Sequence, residues 1–399
     1  MAQKEIQDPK IYLAIDNCFA SKRWTHPSEW MRIVREIGLS NIEASADTEC
    51  DPMYLGKEFT NDWICEVKKH CDISGCVIKN LYSGHGTYAT SGLTHYDRRV
   101  IERFRDNWMK VQMDTAQKLG AGFGFFAHGF DEELLQDNSK YETKLNELYD
   151  TLAELAIYAN QIGLKYVGIE QMYSPHQPPW TLNDMASLYR EVYKRSKSPF
   201  YATLDLGHMN GQQYFSKPTK SMIVEWIEST RKGNKPRRIW LGTEYAHTKF
   251  DEAVNGAISV QQALDAIIQD IEMHPHLFSE PQDWNIHEWI SRYGCYSPII
   301  HLQQTDGKSS PHWPFSEEYN KKGIVKAEEI LNALRDAFSQ PEDTTMPPKC
   351  SEVVLTLEPF IGTAGNTFDL REDLALSVDY WRKWIPRDGI HLSEVMKYC

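Results

Sequence analysis

Two apolar runs that end in a carboxylate organise this chain: ATLDLGHMN at residues 202–210 and VVLTLEPF at residues 353–360. A parallel strand that is buried on both faces is nearly all apolar, so an acid at its carboxyl end is unusual. Burying an ionised carboxylate costs on the order of several kcal/mol unless a cation, hydrogen-bond donors or a metal compensate it. KYVGIE at residues 165–170 also ends in an acid, and SPIIH at residues 297–301 ends in an imidazole. These strand ends present one donor set: Glu170, Asp205, His301 and Glu358.

The composition is that of a folded globular protein. Of 399 residues, 41% are hydrophobic and 25% are charged, and this length fits one large α/β barrel or two ordinary domains. The formal net charge of −13 disfavours nucleic acid or an anionic membrane as the main partner. Because no apolar run approaches the roughly 20 residues of a membrane span and the first ten residues are polar, we expect a soluble, cytoplasmic protein.

Strand-like and helix-like segments alternate along most of the chain, which is typical of a parallel α/β fold with right-handed crossovers. We therefore predict a single (β/α)8 TIM-barrel domain over residues 1–399. The eight predicted strands are 11–15, 41–43, 75–82, 122–126, 165–170, 200–205, 298–304 and 352–358.

This alternation stops after the sixth predicted strand. Residues 211–297 contain at least two predicted helices, near 219–231 and 259–273, but only one weak strand candidate, at 238–241. Long connections of this kind usually form lids, binding loops or oligomer contacts. We interpret residues 211–297 as an insertion between strands six and seven.

The four strand-end residues are predicted to hold a divalent metal. In an α/β barrel the carboxyl ends of the strands build the active face, so Glu170, Asp205, His301 and Glu358 would line half of its mouth. Three carboxylates and one imidazole suit Mn²⁺ first, with Mg²⁺ or Co²⁺ as alternatives. Each residue taken singly could equally be a structural ion pair or a capped carboxylate.

Further candidates lie in the loops after the strands. Asp205-x-x-His208 places an imidazole just beyond a metal acid, within reach of a bound substrate. The outer candidates at the ends of strands one to four are Asp16, Glu43, His85 and His128. The substrate-contact candidates are His85, His128, His176, Trp24 and Lys308, with satisfied loop or core residues as the alternative. Further aromatic residues that could stack on a substrate ring or belong to the core are Tyr82, Phe126, Trp180 and Trp313.

Other chemistries lack their motifs. The sequence contains no GxGxxG, no GxxxxGK[ST] and no GxSxG, which disfavours dinucleotide, P-loop and serine-hydrolase sites. It also contains no HExxH metalloprotease motif.

The segments LDLGHMN (204–210) and LEPF (357–360) resemble the strand-six and strand-eight motifs of the xylose-isomerase-like sugar isomerases and epimerases. Within that group they are most similar to the ketose 3-epimerases of the tagatose/allulose type. The resemblance implies a TIM barrel, a sugar substrate, a homo-oligomer, metal ligation by the four strand-end residues and substrate contact by His208. The chain departs from the family in reading Gln171-Met172-Tyr173 after Glu170, and in having no arginine directly after His301.

The predicted chemistry is enolisation. A metal that chelates a carbonyl and the adjacent hydroxyl stabilises an enediolate. Glu170 and Glu358 would then exchange a carbon-bound proton as general base and acid. Epimerisation and isomerisation use the same residues, so both stay open.

Other functions also stay open. A lyase or dehydratase would expel a β-substituent from the enediolate, with His85, His128 or His176 protonating the leaving group. A non-catalytic sugar-binding barrel is a further alternative. A metal-dependent nuclease of similar barrel type is disfavoured by the net charge of −13.

Overall fold

The computed structural model describes residues 7–84, 86–359, 361–362 and 364–399. Its centre is a closed barrel of eight parallel strands in which β1 pairs with both β2 and β8. A short ninth strand pairs antiparallel with the first two residues of the first strand. The prediction of a (β/α)8 barrel is confirmed. The strands are β1 Lys10–Asp16, β2 Asn41–Ser45, β3 Val77–Ser83, β4 Gly122–Phe125, β5 Val167–Glu170, β6 Tyr201–Asp205, β7 Ile299–Leu302, β8 Glu352–Leu357 and β9 Ile390–His391.

Helices surround the barrel, and each strand is followed by at least one of them. A π-helical turn at Phe104–Met109 joins the helix Arg98–Arg103 to the helix Lys110–Leu119. The helices are α1 Pro27–Glu36, α2 Ala46–Glu49, α3 Lys57–Ser74, α4 Arg98–Arg103, α5 Lys110–Leu119, α6 Glu132–Leu135, α7 Asn138–Gln161, α8 Leu182–Ser196, α9 Lys220–Arg231, α10 Glu244–Val254, α11 Val260–Met273, α12 Ile286–Tyr293, α13 Glu317–Lys322, α14 Ala327–Ser339, α15 Thr367–Arg382 and α16 Leu392–Val395.

Local signals fix the ends of several helices. Helix α8 begins with a capping box, in which the Thr181 side chain accepts the backbone N–H of Asp184 and the Asp184 side chain accepts that of Thr181. Helix α3 ends at Gly75, whose φ of +72° is a conformation that glycine adopts without strain. Between barrel and helices lies a continuous core that includes the fully buried Trp30, Trp108 and Trp381.

The inside of the barrel changes from apolar to polar along the strands. At the amino-terminal end Ala14, Tyr166, Ile299 and Val354 form a separate buried cluster. Because side chains alternate between the two faces of a strand, residues two positions further on also point inward. This alternation brings charged and polar side chains into the carboxyl-terminal half of the barrel interior.

The long connection between β6 and β7 is mostly helical. Residues 211–297 contain α9 and α11, as predicted, together with α10 and α12. The predicted strand at 238–241 is wrong: this segment has no regular structure, and the Trp240 indole packs at 5.1 Å from the Phe215 ring. The insertion reaches α7, where His276 stacks on Tyr141 with ring centroids 3.9 Å apart. Its role as a lid or oligomer contact stays a prediction.

Among residues 7–84, 86–359, 361–362 and 364–399, every helix is too short or too polar to cross a bilayer.

Candidate active site

A cavity of about 570 Å³ opens at the carboxyl-terminal end of the barrel. Its wall combines acidic, imidazole and aromatic side chains, so it offers both hydrogen-bonding groups and apolar faces. The lining residues that matter below are Asp16, Tyr82, Phe126, Glu170, Tyr173, His208, His312 and Glu358.

The four predicted ligand residues meet at the inner end of this cavity. Nδ1 of His301 lies 3.0 Å from Glu170 Oε1, 3.5 Å from Glu358 Oε2 and 3.9 Å from Asp205 Oδ2. One donor atom from each of Asp205, His301 and Glu358 falls within 4.8 Å of the others, and the same is true of Glu170, Asp205 and His208. Strand register explains the approach, because Asp205 lies opposite His301 in the β6–β7 pairing.

One carboxylate oxygen indicates that a cation fits this cluster. Glu358 Oε2 is buried and makes no well-aligned hydrogen bond within the described part of the chain. Two imidazole nitrogens lie close to it, Nδ1 of His312 at 3.4 Å and Nδ1 of His301 at 3.5 Å. Buried polar atoms are rarely left without partners, and three carboxylates with one imidazole form a donor set typical of a hard divalent cation. The residues present therefore fit a divalent metal.

Asp205 is held rigidly as an ionised group. Its Oδ1 accepts the backbone N–H groups of Gly207 and His208 at 2.6 and 2.8 Å, and the Gln303 amide at 2.9 Å. Burial opposes its ionisation, but the nearby imidazoles of His208, His312 and His301 lower the pKa of Asp205 below its usual value. A Cβ atom at Gly207 would collide with the Gln303 amide, so a larger residue here would displace this donor from Asp205.

Glu43 lies behind His301 and orients its ring. Glu43 Oε1 is 2.6 Å from His301 Nε2, and Asn80 Nδ2 donates to the other Glu43 oxygen at 2.6 Å. Nε2–H of His301 therefore donates to Glu43, which leaves Nδ1 facing the other three acids. Burial lowers the pKa of His301, but Glu43 and Glu358 together raise it well above the usual value.

Glu170 contacts two cavity residues besides His301. The Tyr82 hydroxyl donates to Glu170 Oε2, and Nδ1 of His208 lies 3.8 Å from Glu170 Oε1. Burial, with the Glu170 charge adding to it, raises the pKa of Tyr82 well above its usual value, so the phenol stays a neutral donor. His208 also packs against Tyr173 with ring centroids 5.0 Å apart.

His312 is a cavity residue that the sequence did not single out. It lies in the loop after β7 with φ at +51°, and its backbone N–H donates to Gln303 Oε1 at 2.8 Å. Its Nδ1 is 3.0 Å from the Glu358 carbonyl oxygen. Burial lowers the pKa of His312, but the adjacent Glu358 carboxylate overcomes this and raises it to about 9. No periodicity marks a loop residue, so its proximity along the chain to His301 was the only available signal.

Four predicted substrate contacts lie outside the cavity lining. Nδ1–H of His176 donates to the Phe130 carbonyl at 2.8 Å, and Trp24 packs against Phe19 at the edge of the core. The ammonium of Lys308 is largely exposed, 3.6 Å from Asp306. The fourth, His128, is fully buried next to Phe126.

Of the remaining candidates, some line the cavity and others lie outside its lining. Tyr82 and Phe126 line the cavity, whereas Trp180 is fully buried and Trp313 packs against Tyr319 at 4.9 Å. Asp16 lines the cavity, and burial together with Glu43 and Glu358 raises the pKa of Asp16 well above its usual value. The candidate His85 lies outside the described residues.

The environment of His128 predicts a pH-dependent stability. Its Nε2–H donates to the Pro178 carbonyl at 2.5 Å, and its buried Nδ1 has no partner in the described ranges. Burial lowers the pKa of His128 from 6.5 to about 4. Between these values the unfolded chain binds the proton and the folded chain does not, so stability falls as the pH drops from 6.5 to 4, by up to about 3 kcal/mol.

Urea denaturation of wild type and His128→Gln at neutral pH and near pH 4.5 checks this expectation. The glutamine retains an N–H donor for Pro178 but cannot take up a proton, so its loss of stability on acidification is smaller than that of wild type. The exposed His287 on α12 provides the control substitution, His287→Gln, which leaves the wild-type pH dependence unchanged. Equal pH dependence in His128→Gln and wild type contradicts the prediction.

One protein with an assigned activity is similar in sequence to part of this chain. Over 140 residues the chain is 24% identical to D-erythrulose 1-phosphate 3-epimerase from Brucella abortus (strain 2308). This match covers 30% of this chain and 45% of that protein. The match thus spans less than half of that relative's length.

Solved structures show the same fold. A candidate xylose isomerase from Rhodospirillum rubrum ATCC 11170 superimposes with a TM-score of 0.65 at 17% identity, covering 93% of this chain and 98% of the other. D-psicose 3-epimerase, crystallised in the presence of D-fructose, gives 0.52 at 14% identity, covering 94% and 98%. L-ribulose 3-epimerase gives 0.52 at 13% identity, covering 96% and 95%.

The relatives named as epimerases and isomerases are enzymes, in agreement with the prediction from the sequence. Residues 31–339, most of the chain, match the sequence profile of one family. The chain belongs to the xylose isomerase-like TIM barrel family.

Proposed function

We propose that this protein is a divalent-metal-dependent sugar isomerase or epimerase that enolises a small ketose or ketose derivative. The observation that carries the proposal is the convergence of Glu170, Asp205 and Glu358 on Nδ1 of His301 at the inner end of one cavity. These four residues would hold the metal, for which Mn²⁺ is our first choice. When bound, such a metal polarises a substrate carbonyl and stabilises the negative charge that enolisation develops on its oxygen.

The cavity wall supports a sugar as the substrate. Carboxylates and imidazoles supply hydrogen-bonding groups for hydroxyls, while Phe126 and Tyr173 offer apolar ring faces. The similarity to D-erythrulose 1-phosphate 3-epimerase supports the same class of substrate.

Two glutamates are positioned to move the carbon-bound proton. Glu170 is the last residue of β5, Glu358 directly follows β8, and both line the cavity. Their two strands lie on different sides of β7, which carries His301. We assign proton abstraction to Glu170, whose Oε2 is oriented by the Tyr82 hydroxyl. Burial raises the pKa of Glu358 in spite of His301 and His312, which suits a carboxyl group that returns a proton. His208 and His312 would hold substrate hydroxyl groups from the cavity wall.

The position of His312 also supports a second candidate function, elimination from a keto-sugar or keto-glycoside. A lyase needs an acid to protonate the leaving group, and the predicted donors His128 and His176 lie outside the cavity lining. His312 lines the cavity beside Glu358 and could take this role.

Proton exchange tests the proposal. The protein, supplied with Mn²⁺, is incubated in D₂O with a panel of ketoses and keto-glycosides, and products are followed by NMR and mass spectrometry. Deuterium at the carbon next to the carbonyl, without loss of a substituent, supports epimerisation or isomerisation, and the labelled carbon separates the two. Loss of water or an aglycone supports the lyase. Absence of exchange and of turnover across the panel, with metal bound, contradicts enolisation.

Glu43 should control metal affinity without touching the metal. Glu43→Gln replaces the acceptor of the His301 Nε2–H by a neutral amide, which weakens the orientation and basicity of the ring. Such changes behind a ligand typically cost 10- to 100-fold in metal affinity. We expect the dissociation constant for Mn²⁺, measured by isothermal titration calorimetry, to rise by about that factor.

Glu49→Gln is the matched control. Glu49 is another buried acid close by in sequence, but its carboxylate accepts the Trp63 indole N–H at 3.1 Å and is not hydrogen-bonded to His301. Its substitution should leave Mn²⁺ affinity unchanged. A Glu43→Gln protein with wild-type affinity would refute the positioning role.

A further inference from the structure

A second group of metal-ligand side chains lies on the helical layer of the barrel. His26 precedes α1, and Glu66 and His70 lie one turn apart on α3. One donor atom from each of the three falls within 4.8 Å of the others. Since residues four apart on a helix share one face, Glu66 and His70 point the same way, toward the start of α1.

The distances suit a tetrahedral ion. Glu66 Oε2 is 3.3 Å from His70 Nε2 and 4.0 Å from His26 Nε2. Zinc bonds of about 2.0–2.1 Å at tetrahedral angles place neighbouring ligand atoms about 3.4 Å apart. The Glu66–His70 pair already has this spacing, and the Glu66–His26 pair exceeds it by about 0.6 Å. The third pair, His26–His70, lies within 4.8 Å, and a shift of the exposed His26 side chain shortens both of its distances.

The scaffold already orients His26. Its Nδ1 lies 2.7 Å from the Ser28 hydroxyl, which directs Nε2 toward Glu66. The same Nδ1 accepts the Ser28 backbone N–H at 3.3 Å and so caps α1. Metal binding through Nε2 therefore moves the ring proton to Nδ1, where the Ser28 hydroxyl can accept it, since the second ring nitrogen of a metal-bound histidine commonly donates to an oxygen. The Glu29 side chain accepts the His26 backbone N–H at 3.1 Å and so fixes the same residue on its other side.

A lysine competes for the carboxylate. Lys69 Nζ lies 3.2 and 3.0 Å from the two oxygens of Glu66. This ion pair is exposed, and exposed pairs contribute little to stability. A divalent cation held by two imidazoles can therefore displace Lys69.

We propose that His26, Glu66 and His70 form a second metal site, which binds Zn²⁺ with its remaining coordination position open to water. Two imidazoles and one carboxylate are a typical zinc donor set, whereas the cavity offers three carboxylates and one imidazole. The ion links the residue that caps α1 to the middle of α3. Because it binds the folded chain, it stabilises that state by mass action.

Zinc stoichiometry tests the site. Chelator-treated protein is dialysed against micromolar free Zn²⁺, and bound metal is counted in wild type, His70→Ala and His287→Ala. We expect His70→Ala to bind one Zn²⁺ per chain fewer than wild type, and His287→Ala to match wild type. Equal zinc content in wild type and His70→Ala overturns the proposal.

Two further variants separate this site from the cavity. Asp205→Ala should retain the ion at His26, Glu66 and His70, and adding His70→Ala to it should remove that ion. Zinc should also raise the thermal midpoint of Asp205→Ala but not that of the double variant. An identical zinc response in both proteins overturns the proposal, whatever happens to metal in the cavity.

Discussion

Glu358→Gln is expected to slow exchange of the substrate's carbon-bound proton by about 10²- to 10⁴-fold, the usual contribution of one general acid or base. Glu358 lines the cavity, 3.5 Å from Nδ1 of His301, and the amide that replaces it cannot take up or release the proton. Burial raises the pKa of Glu358 and so favours its neutral carboxylic acid. The fold should therefore tolerate a neutral side chain of the same shape. Deuterium incorporation at saturating Mn²⁺ measures the effect.

The control for this substitution lies on the same strand. Glu352 begins β8, at the opposite end of the barrel, where it is 3.8 Å from Lys79 Nζ. Glu352→Gln makes the same chemical change and should leave the exchange rate within a few-fold of wild type. Exchange in Glu358→Gln at the rate of Glu352→Gln would remove Glu358 from the mechanism.

Asp205→Ala is expected to abolish tight metal binding in the cavity. Its carboxylate is fixed by the Gly207 and His208 amides and is kept ionised, so the variant loses a charged, prearranged ligand rather than a mobile one. Substituting a residue that hydrogen-bonds to a metal ligand costs up to roughly 100-fold in metal affinity. Because Asp205→Ala removes a ligand itself, we expect the Mn²⁺ affinity to fall by more than that. Proton exchange should fall with it, and Mn²⁺ should no longer raise the thermal midpoint.

Asp306→Ala is the control, because it removes a carboxylate that is not among the proposed metal ligands. Asp306 lies in the loop after β7, where it pairs at 3.6 Å with the exposed Lys308. Its removal should change neither Mn²⁺ affinity nor exchange. If Asp205→Ala retained wild-type Mn²⁺ affinity, the assignment of the strand-end residues as ligands would fail.

The barrel could be predicted because its signals are local. Each strand is a short apolar run between helices of clear periodicity, and eight such units close a parallel barrel. The predicted strand at 238–241 is wrong because its apolar Trp240 does not belong to a sheet. The Trp240 ring instead packs on Phe215 within the same connection. Strand β9 was missed because two residues that pair with β1 carry no pattern of their own.

The contacts of the site were less predictable. Glu43 and His301 are 258 residues apart, and their hydrogen bond depends on how the barrel closes. His312 reaches Glu358 from an irregular loop, and His128 is buried against Pro178, although both follow strands. A histidine near a strand end can face the cavity or the core, and the direction is set by the loop path.

By itself the sequence determined the fold family and the placement of an acid or imidazole at the ends of β5 to β8, because both depend on local patterning and on motifs within a few residues. Tertiary structure decided which of these side chains face one another, that Glu43 supports His301, and that His312 rather than His128 lines the cavity. Those relations depend on barrel closure and loop paths, which bring together residues hundreds of positions apart.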